Sequence, residues 1–362
     1  MAIKYLSGKR LQGTAAERTA LNTSPAPQTS WKELGRATAG SGGSTSLTTS
    51  AFTAKDNIMI LYNSFGSDPY MRVGTGGTID TTQKYSQRYS EMGGTDGTNL
   101  QGSTYGLQWY VNGGSGATGS EGVFGFAEGI NLNGHEKLFT LRSTDNASGT
   151  GSGTATGRYE REMKYNVNNQ INIARLFHSS GTMDEGSEII ILGCDNDEAD
   201  SGTNFWQELA NVSSTATDDS ITTGTITAKK YLWVQFQANY TGDGNTKMIF
   251  NSDSGSNKYA FRSSYNGSSD SVNENQSAMN FADSSTHDGI FVNVFILNRA
   301  NREKIFYSTQ NNAPATGSGS NPNGYEQTGK WINTSDQITE ITMNQTNSGS
   351  YTYKNLKVWG SD

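Results

Sequence analysis

Asn57-Ile58-Met59-Ile60-Leu61-Tyr62 is a short apolar run rich in residues that favour β-strands. A similar run, Tyr231-Leu232-Trp233-Val234-Gln235-Phe236, follows 174 positions later. Outward from these runs, Trp31-Lys32-Glu33-Leu34 recurs as Trp206-Gln207-Glu208-Leu209. The paired matches indicate a strand-forming unit that occurs twice in the chain.

Further matches keep the same order along the chain, which chance rarely produces. They are Lys84-Tyr85 with Lys258-Tyr259 and Asn169-Gln170-Ile171 with Asp336-Gln337-Ile338. We therefore predict two homologous domains, each of ordinary length. The predicted units are an N-terminal arm at 1–30, a first domain at 31–193, a linker at 194–205 and a second domain at 206–362.

The apolar runs are short and are separated by turn-forming clusters such as Tyr265-Asn266-Gly267, where asparagine and glycine tolerate positive φ. Residues 337–343 alternate apolar and polar side chains, as in a strand with one solvated face. The pattern predicts an all-β fold of two tandem antiparallel β-sandwiches, of jelly-roll or lectin-like type. We take 137–141 as the first-domain counterpart of 290–297, and we expect a helix at 15–21 in the arm.

The composition excludes several classes of protein. Of 362 residues, 43 are glycine, 5 are proline and one, Cys194, is cysteine, which excludes an internal disulfide, a cysteine-based zinc site and collagen. We expect no membrane span and no secretory signal, because no apolar run approaches ~18 residues and residues 1–10 lack an apolar stretch. The formal net charge of −7 argues against nucleic acid as a partner.

The histidines and acidic residues are interpreted as structural. None of His135, His178 and His287 has a His or Cys neighbour at metal-ligand spacing, and His135 and His287 are taken to precede corresponding strands. Glu160 and Glu162 have the i, i+2 spacing that would place two acids on one strand face, as a glycosidase needs. The second-half counterpart of this pair, Glu326-Gln327-Thr328, lacks the second acid, so a solvated strand edge is preferred.

Two further patterns carry no prediction of a ligand. Residues 114–119 match the dinucleotide-binding fingerprint literally, but a strand rather than a helix is expected after them. Residues 195–200 contain four acids, and a weak calcium site there is weighed against a hydrated acidic linker, which is preferred. We therefore predict no catalytic residue, no metal and no cofactor.

Aromatic residues are the candidate contacts for a glycan or a protein partner, because exposed rings stack on sugars and anchor interfaces. The candidates are Trp109, Tyr110, Trp331, Tyr351 and Tyr353. Core filling is the alternative for each of them. Trp31 and Trp206 occupy equivalent positions, and we expect them to share a packing role.

The first 21 residues, the Trp-x-Glu-Leu start of each half and the ending Asn-Leu-Lys-Val-Trp-Gly-Ser-Asp resemble structural proteins of bacteriophage virions. That family is built from concanavalin-like or jelly-roll β-sandwich modules. The resemblance implies a non-enzymatic capsid, decoration or fibre protein, assembled in the host cytoplasm with copies of itself and other virion proteins. On this hypothesis the arm contacts the particle or a neighbouring subunit through Lys4, Lys9, Arg10 and Arg18.

Two alternatives stay open at this point. One is a lectin-like protein that binds cell-surface glycans or attaches to a host. The other is a major capsid protein of the double jelly-roll kind, which also has two sandwiches in one chain. A polysaccharide-degrading enzyme is disfavoured, because no acid pair recurs in both halves.

Overall fold

The structure, a computed structural model, is all-β in the part of the chain that it describes, and it has no helix there. It describes residues 31–66, 69–94, 97–99, 109–110, 122–146, 149–178, 181–195, 204–241, 245–281, 289–313, 318–319, 321–346 and 349–362. The prediction of an all-β fold is confirmed. The arm at 1–30, with the helix predicted at 15–21, lies outside the described residues.

The first half of the chain forms a large and a small antiparallel sheet. Among the described residues, the large sheet has the strand order β1-β13-β3-β9-β10-β11-β6-β7, and the small sheet has the order β2-β12-β4-β5 with β8 beside β4. The strands are β1 Lys32–Thr38, β2 Ser46–Thr48, β3 Asn57–Ser64, β4 Tyr70–Thr75, β5 Thr78–Ile79, β6 Tyr85–Glu91, β7 Gly97–Asn99, β8 Trp109–Tyr110, β9 Val123–Ile130, β10 Lys137–Asp145, β11 Gly157–Tyr165, β12 Ile173–Phe177 and β13 Glu188–Cys194.

The second half forms a second pair of antiparallel sheets. Its described strands give a large sheet of order β14-β25-β16-β21-β22-β23-β18-β19 and a small sheet of order β15-β24-β17-β20. The strands are β14 Gln207–Ser214, β15 Ser220–Thr222, β16 Tyr231–Thr241, β17 Thr246–Phe250, β18 Tyr259–Tyr265, β19 Ser271–Gln276, β20 Met279–Asn280, β21 Gly289–Leu297, β22 Lys304–Ala313, β23 Asn323–Trp331, β24 Ile341–Gln345 and β25 Ser350–Ser361.

The strand order of the two halves is the same when each strand is matched to its counterpart, so the duplication seen in the sequence corresponds to a repeated topology. The edge strands even share an irregularity, a register shift after Glu33 in β1 and after Glu208 in β14. In this matching β21 corresponds to β9 and β22 to β10. The sequence-based pairing of 290–297 with 137–141 is therefore wrong, because two glycines in β9 dilute its apolar signal.

Each half encloses an apolar core between its large and small sheets. Ile60 and Leu176 belong to the first core, and Val294 and Met343 belong to the second. Neighbouring residues of the large sheets point the other way, because side chains alternate across a strand. Leu61, next to Ile60, is nevertheless fully buried. Both faces of each large sheet are therefore partly covered, and we call the face turned away from the small sheet the outer face.

A buried asparagine ties three segments together at the end of β9, and its counterpart does the same at the end of β21. The Asn131 side chain donates to the carbonyls of Lys55 and Ile171 at 3.1 and 3.0 Å and accepts from the Ile171 amide at 2.7 Å. The Asn298 side chain makes the same three bonds in the second half, with Lys229 and Ile338. Buried backbone groups need such partners when no strand neighbour supplies them.

Replacing either asparagine leaves buried backbone groups without partners. We expect Asn131→Ala and Asn298→Ala each to lower the free energy of unfolding by about 1–3 kcal/mol, the cost of unsatisfied buried polar groups. Urea unfolding followed by tryptophan fluorescence measures the change. Asn133→Ala is the matched control, because Asn133 is exposed two residues further on. Equal effects of Asn131→Ala and Asn133→Ala would contradict the assigned role.

Candidate functional site

The outer faces of the two large sheets pack against each other, and we call this contact the junction. Phe126 of the first half lies against Phe295 of the second, with ring centroids 4.4 Å apart, and meets the Tyr307 ring edge-on at 6.0 Å. Phe124 stacks with Tyr231 at 6.2 Å. The rings belong to one apolar cluster drawn from both halves, so the halves are joined by a shared core.

Arg158 is the centre of a buried charge cluster at the junction. Its guanidinium donates to Asp270 at 2.6 Å and to Glu326 at 2.9 Å, both from the second half. Glu160 from its own strand pairs with it as well. The side chains of Arg158 and Asp270 are almost fully buried, and a buried guanidinium is tolerated only when carboxylates pair with it. The cluster therefore fixes how the halves meet.

A second polar cluster holds a loop of the first half. Lys330 and Glu303 of the second half form a buried ion pair at 3.3 Å. Lys330 donates to the Asn146 side chain and the Gly149 carbonyl at 2.7 Å each. Glu303 accepts from Asn146 and from the Gly151 amide at 2.6 Å each. The pair thus binds the turn after β10 through its side-chain and backbone polar groups.

Glu188 is the third buried charge that links the halves. Its carboxylate accepts from Arg36 at 2.9 Å, from Tyr231 at 2.7 Å and from Lys230. Burial acts to raise the pKa of Glu188, but Lys230, Tyr231 and Arg36 together outweigh it and hold the pKa below its usual value. Lys230 and Tyr231 belong to the second half, so ionised Glu188 stabilises the junction.

Beyond the junction, the outer face of the first large sheet carries a groove of about 660 Å³. Leu138 and Ile130 lie opposite each other on β10 and β9, and they are 64% and 58% exposed. Leu132, at its edge, is 40% exposed. Single exposed apolar residues are common on protein surfaces, but adjacent ones on neighbouring strands are typical of an interaction site.

Charged residues surround the apolar part of the groove. Glu128 lines it, and desolvation raises the pKa of this carboxyl against the opposing effect of Arg142. The Glu128 carboxylate is in contact with water, but the walls of the groove displace part of its hydration shell, which accounts for the desolvation. Lys164 and Glu136 form an exposed ion pair at 3.4 Å in the same lining. The groove therefore presents apolar side chains between charges of both signs.

The outer face of the second large sheet also continues beyond the junction. Phe291 is 40% exposed there, opposite Asn311 on the neighbouring strand and two residues before Asn293. A shallow depression of about 230 Å³ lies beside it, lined in part by Gln237 and Asn239. We call this surface the Phe291 face. It is richer in amide side chains than the groove.

The structure corrects two of the predicted aromatic contacts. Trp331 and Tyr351 are fully buried in the second core, because their strand positions turn them toward the small sheet, so neither ring can stack on a ligand. Tyr353 is 37% exposed and stays a candidate. Trp109 and Tyr110 form strand β8 beside β4, and their side chains lie outside the described residues, as do Lys4, Lys9, Arg10 and Arg18 of the arm.

Trp31 and Trp206 both pack on the apolar cluster of the junction, in agreement with the shared packing role expected for them.

His135 is exposed in the groove, and it precedes β10, whose counterpart is β22. The expectation that His135 and His287 precede corresponding strands is therefore wrong, because residue 287 comes before β21. His287 itself lies outside the described residues. Burial lowers the pKa of His178.

The acidic candidates Glu160 and Glu162 lie on the same face of β11, as the i, i+2 spacing predicts, but they have different surroundings. Glu160 lies in the junction, 3.5 Å from the Tyr307 hydroxyl, whereas Glu162 is exposed in the groove. Asp195 pairs with Lys55 at 2.9 Å, and the other acids of the predicted linker lie outside the described residues. Within the described ranges, no cluster of three or more His, Cys, Asp or Glu could hold a metal.

Neither the groove nor the junction was among the features predicted from the sequence. Their signal is present in the strands, where apolar residues occur at positions that alternate with the core residues. Leu138 precedes buried Phe139, and Phe124 follows buried Val123. Such a pattern predicts a second apolar face, but it does not say which part of that face is covered. Among the described residues, no helix is long and apolar enough to cross a membrane.

Acidification should weaken the contribution of Glu188. Because its folded-state pKa is lowered, its stabilisation is complete above the unfolded value near 4.5 and is lost as the pH falls through the lower folded value. We expect Glu188→Gln to lower the free energy of unfolding by about 1–3 kcal/mol at pH 7 and by less at pH 3.

Urea unfolding at both pH values measures this difference. Glu33→Gln is the control, because Glu33 also pairs with Arg36 but is exposed, so its loss should cost below about 1 kcal/mol. A Glu188→Gln effect of the same size at pH 7 and pH 3 would show that ionised Glu188 does not stabilise the junction.

The comparisons with known proteins give no family. No protein-family model matches the chain, and no curated protein matches it. Among solved structures, the chain is weakly similar to human GIVD cytosolic phospholipase A2, at 10% sequence identity over 85% of this chain, with a TM-score of 0.13. It spans 33% of that protein, and a likeness of this size carries no argument about fold or activity.

Proposed function

We propose that the chain is a non-enzymatic structural protein of a phage-like virion, placed on the particle surface as a capsid, decoration or fibre subunit. The resemblance of its start, its two domain openings and its ending to virion proteins supports the virion assignment. In this proposal the protein assembles in the host cytoplasm with copies of itself and other virion proteins.

The observation that carries the assembly role is the exposed apolar surface of the groove. The outer faces of the large sheets already make one extensive contact between folded units, at the junction. Leu138 and Ile130 lie on the same outer face and are exposed. Subunits that assemble bury such patches at their interfaces, whereas a monomer keeps them in water at a cost in free energy.

The buried charges also favour a structural role. Arg158, Lys330 and Glu188 each bind partners across the junction. Catalytic acids and bases instead face a cavity that admits a substrate. The charge clusters are therefore accounted for by the fixed arrangement of the two halves.

Purified particles test the proposal. We expect the chain at a fixed copy number per particle, measured by quantitative mass spectrometry, and at symmetry-related surface positions in electron microscopy. A copy number that fills pseudo-sixfold capsomers would support a double jelly-roll capsid protein, and a small number at one vertex or tail would support a fibre. Absence of the chain from particles would overturn the proposal.

Glycan binding is a second candidate function, favoured by a pair of tyrosines. Tyr265 is 43% exposed, and its ring lies 4.7 Å from that of Tyr325. A depression of about 340 Å³ borders Tyr325 and is lined in part by Asn266 and Asn311, whose amide groups can bind sugar hydroxyls. Exposed rings next to hydrogen-bonding groups are typical of sites that stack on sugars.

If this site binds a glycan, Tyr265→Ala should weaken the binding by about three- to tenfold, the value of one aromatic contact. Glycan-array screening of the wild-type chain followed by titration of the best ligand measures it. Tyr353→Ala is the comparison, because Tyr353 is the exposed tyrosine that the sequence singled out. A wild-type chain that binds no glycan on the array would remove this candidate.

A further inference from the structure

The groove occupies a position that has a counterpart in the second half. Leu138 pairs with Ile130 and Lys164 on its neighbouring strands, and Ile305 pairs with Leu297 and Lys330 in the same registers. The equivalent residues are therefore Leu138 and Ile305, Ile130 and Leu297, Glu128 and Phe295, Thr140 and Tyr307, and Lys164 and Lys330.

In the second half this surface is covered. Leu297 and Ile305 are 2% and 1% exposed, because the first half packs on them at the junction. Their equivalents Ile130 and Leu138 in the groove are open to water. The groove is therefore equivalent to the surface of the second half on which the first half packs.

The complementary surface is also present twice. The first half contributes Phe124 and Phe126 to the junction, and both are buried there. Their equivalents in the second half, by the same registers, are Phe291 and Asn293, on the Phe291 face. Phe291 is exposed where Phe124 is 1% exposed. Each half therefore carries both surfaces, and the junction uses one from each.

The polar groups repeat in the same way. The Lys330–Glu303 pair is buried and holds the turn after β10, whereas the equivalent Lys164–Glu136 pair is 43% exposed at both residues. Arg262 donates to the Thr156 carbonyl across the junction at 3.0 Å, and its equivalent, Arg88, is exposed in the groove. The groove keeps the charged groups that bind a neighbour in the second half.

A contact that joins two different surfaces of like units is heterologous, and it leaves one copy of each surface unused at the ends. Here the unused surfaces are the groove and the Phe291 face. We propose that the Phe291 face of a second copy of this chain docks in the groove, so that the intermolecular contact repeats the junction between the halves. The inference rests on the proposed assembly role and names its partner surface.

The residues that differ between the junction and the proposed intermolecular contact differ as matched pairs, in agreement with this docking. Phe126 meets Phe295 at the junction, and the equivalent positions on the open surfaces are Asn293 and Glu128. An amide can donate to a carboxylate, so a ring pair is replaced by a polar pair. More polar contacts of this kind make the intermolecular interface weaker than the junction, and association should depend on concentration.

Two variants of the full-length chain separate the surfaces. Leu138→Glu places a charge in the groove, and Phe291→Glu places one on the Phe291 face. Both residues are exposed, so the fold should be retained, which circular dichroism checks. We expect each variant alone to self-associate at least about tenfold more weakly than wild type in sedimentation velocity over a range of chain concentrations.

Mixing the two variants tests the heterologous geometry directly. The Leu138→Glu chain keeps an intact Phe291 face and the Phe291→Glu chain keeps an intact groove, so the mixture should form a one-to-one complex of near wild-type affinity. The double variant should stay monomeric in every mixture. Thr222→Glu is the control, because Thr222 is exposed on strand β15 of the small sheet, and it should associate like wild type.

Three results would overturn the inference: a wild-type chain that stays monomeric at all concentrations, association unaffected by either variant, or a mixture that does not restore the complex. The last result, with both single variants weakened, would indicate that each surface pairs with itself. Particles that contain the chain while purified Leu138→Glu associates normally would keep the proposed function and reject this contact.

Discussion

The rest of the structure depends on the burial of both faces of the large sheets. A sheet that carries apolar side chains on both faces must be covered on both, since each exposed apolar residue costs free energy in water. In β3, Ile60 and Leu61 point to opposite faces and are both fully buried. The small sheet covers one face, and the other half of the chain covers part of the second. The two halves consequently share an apolar core at the junction and are not independent domains.

Buried charges make the junction specific. Apolar packing alone would tolerate several sliding positions, since the hydrophobic effect has no direction. Arg158 needs Asp270 and Glu326 within hydrogen-bonding distance, and Lys330 needs Glu303 and the turn that it holds. A shift of the sheets would leave these charges buried without partners, which is strongly unfavourable. The charge clusters thus select one arrangement from those that apolar packing permits.

The duplication explains why equivalent surfaces occur in both halves, covered by the junction in one half and exposed to water in the other. A repeated topology gives both halves the same set of surface positions, and the junction covers a different set in each half. Some uncovered positions carry a polar side chain where the covered equivalent is apolar, as Asn293 compared with Phe126 illustrates. Others are apolar in both halves, as Leu138 compared with Ile305 illustrates. This mixture of polar and apolar side chains distinguishes the groove from an ordinary solvated strand face.

The sequence alone determined the all-β class, the duplication and the polar turns, because strand periodicity and internal repeats are local or self-comparing signals. It misassigned the counterpart of β21, since glycines obscure the apolar pattern of β9. It also could not separate buried Trp331 from exposed Tyr353, because both lie on aromatic-rich strands and only packing decides which ring meets water. The tertiary structure decided which outer-face residues are covered. That depends on contacts between residues far apart in the chain, such as Phe126 with Phe295, which no local pattern encodes.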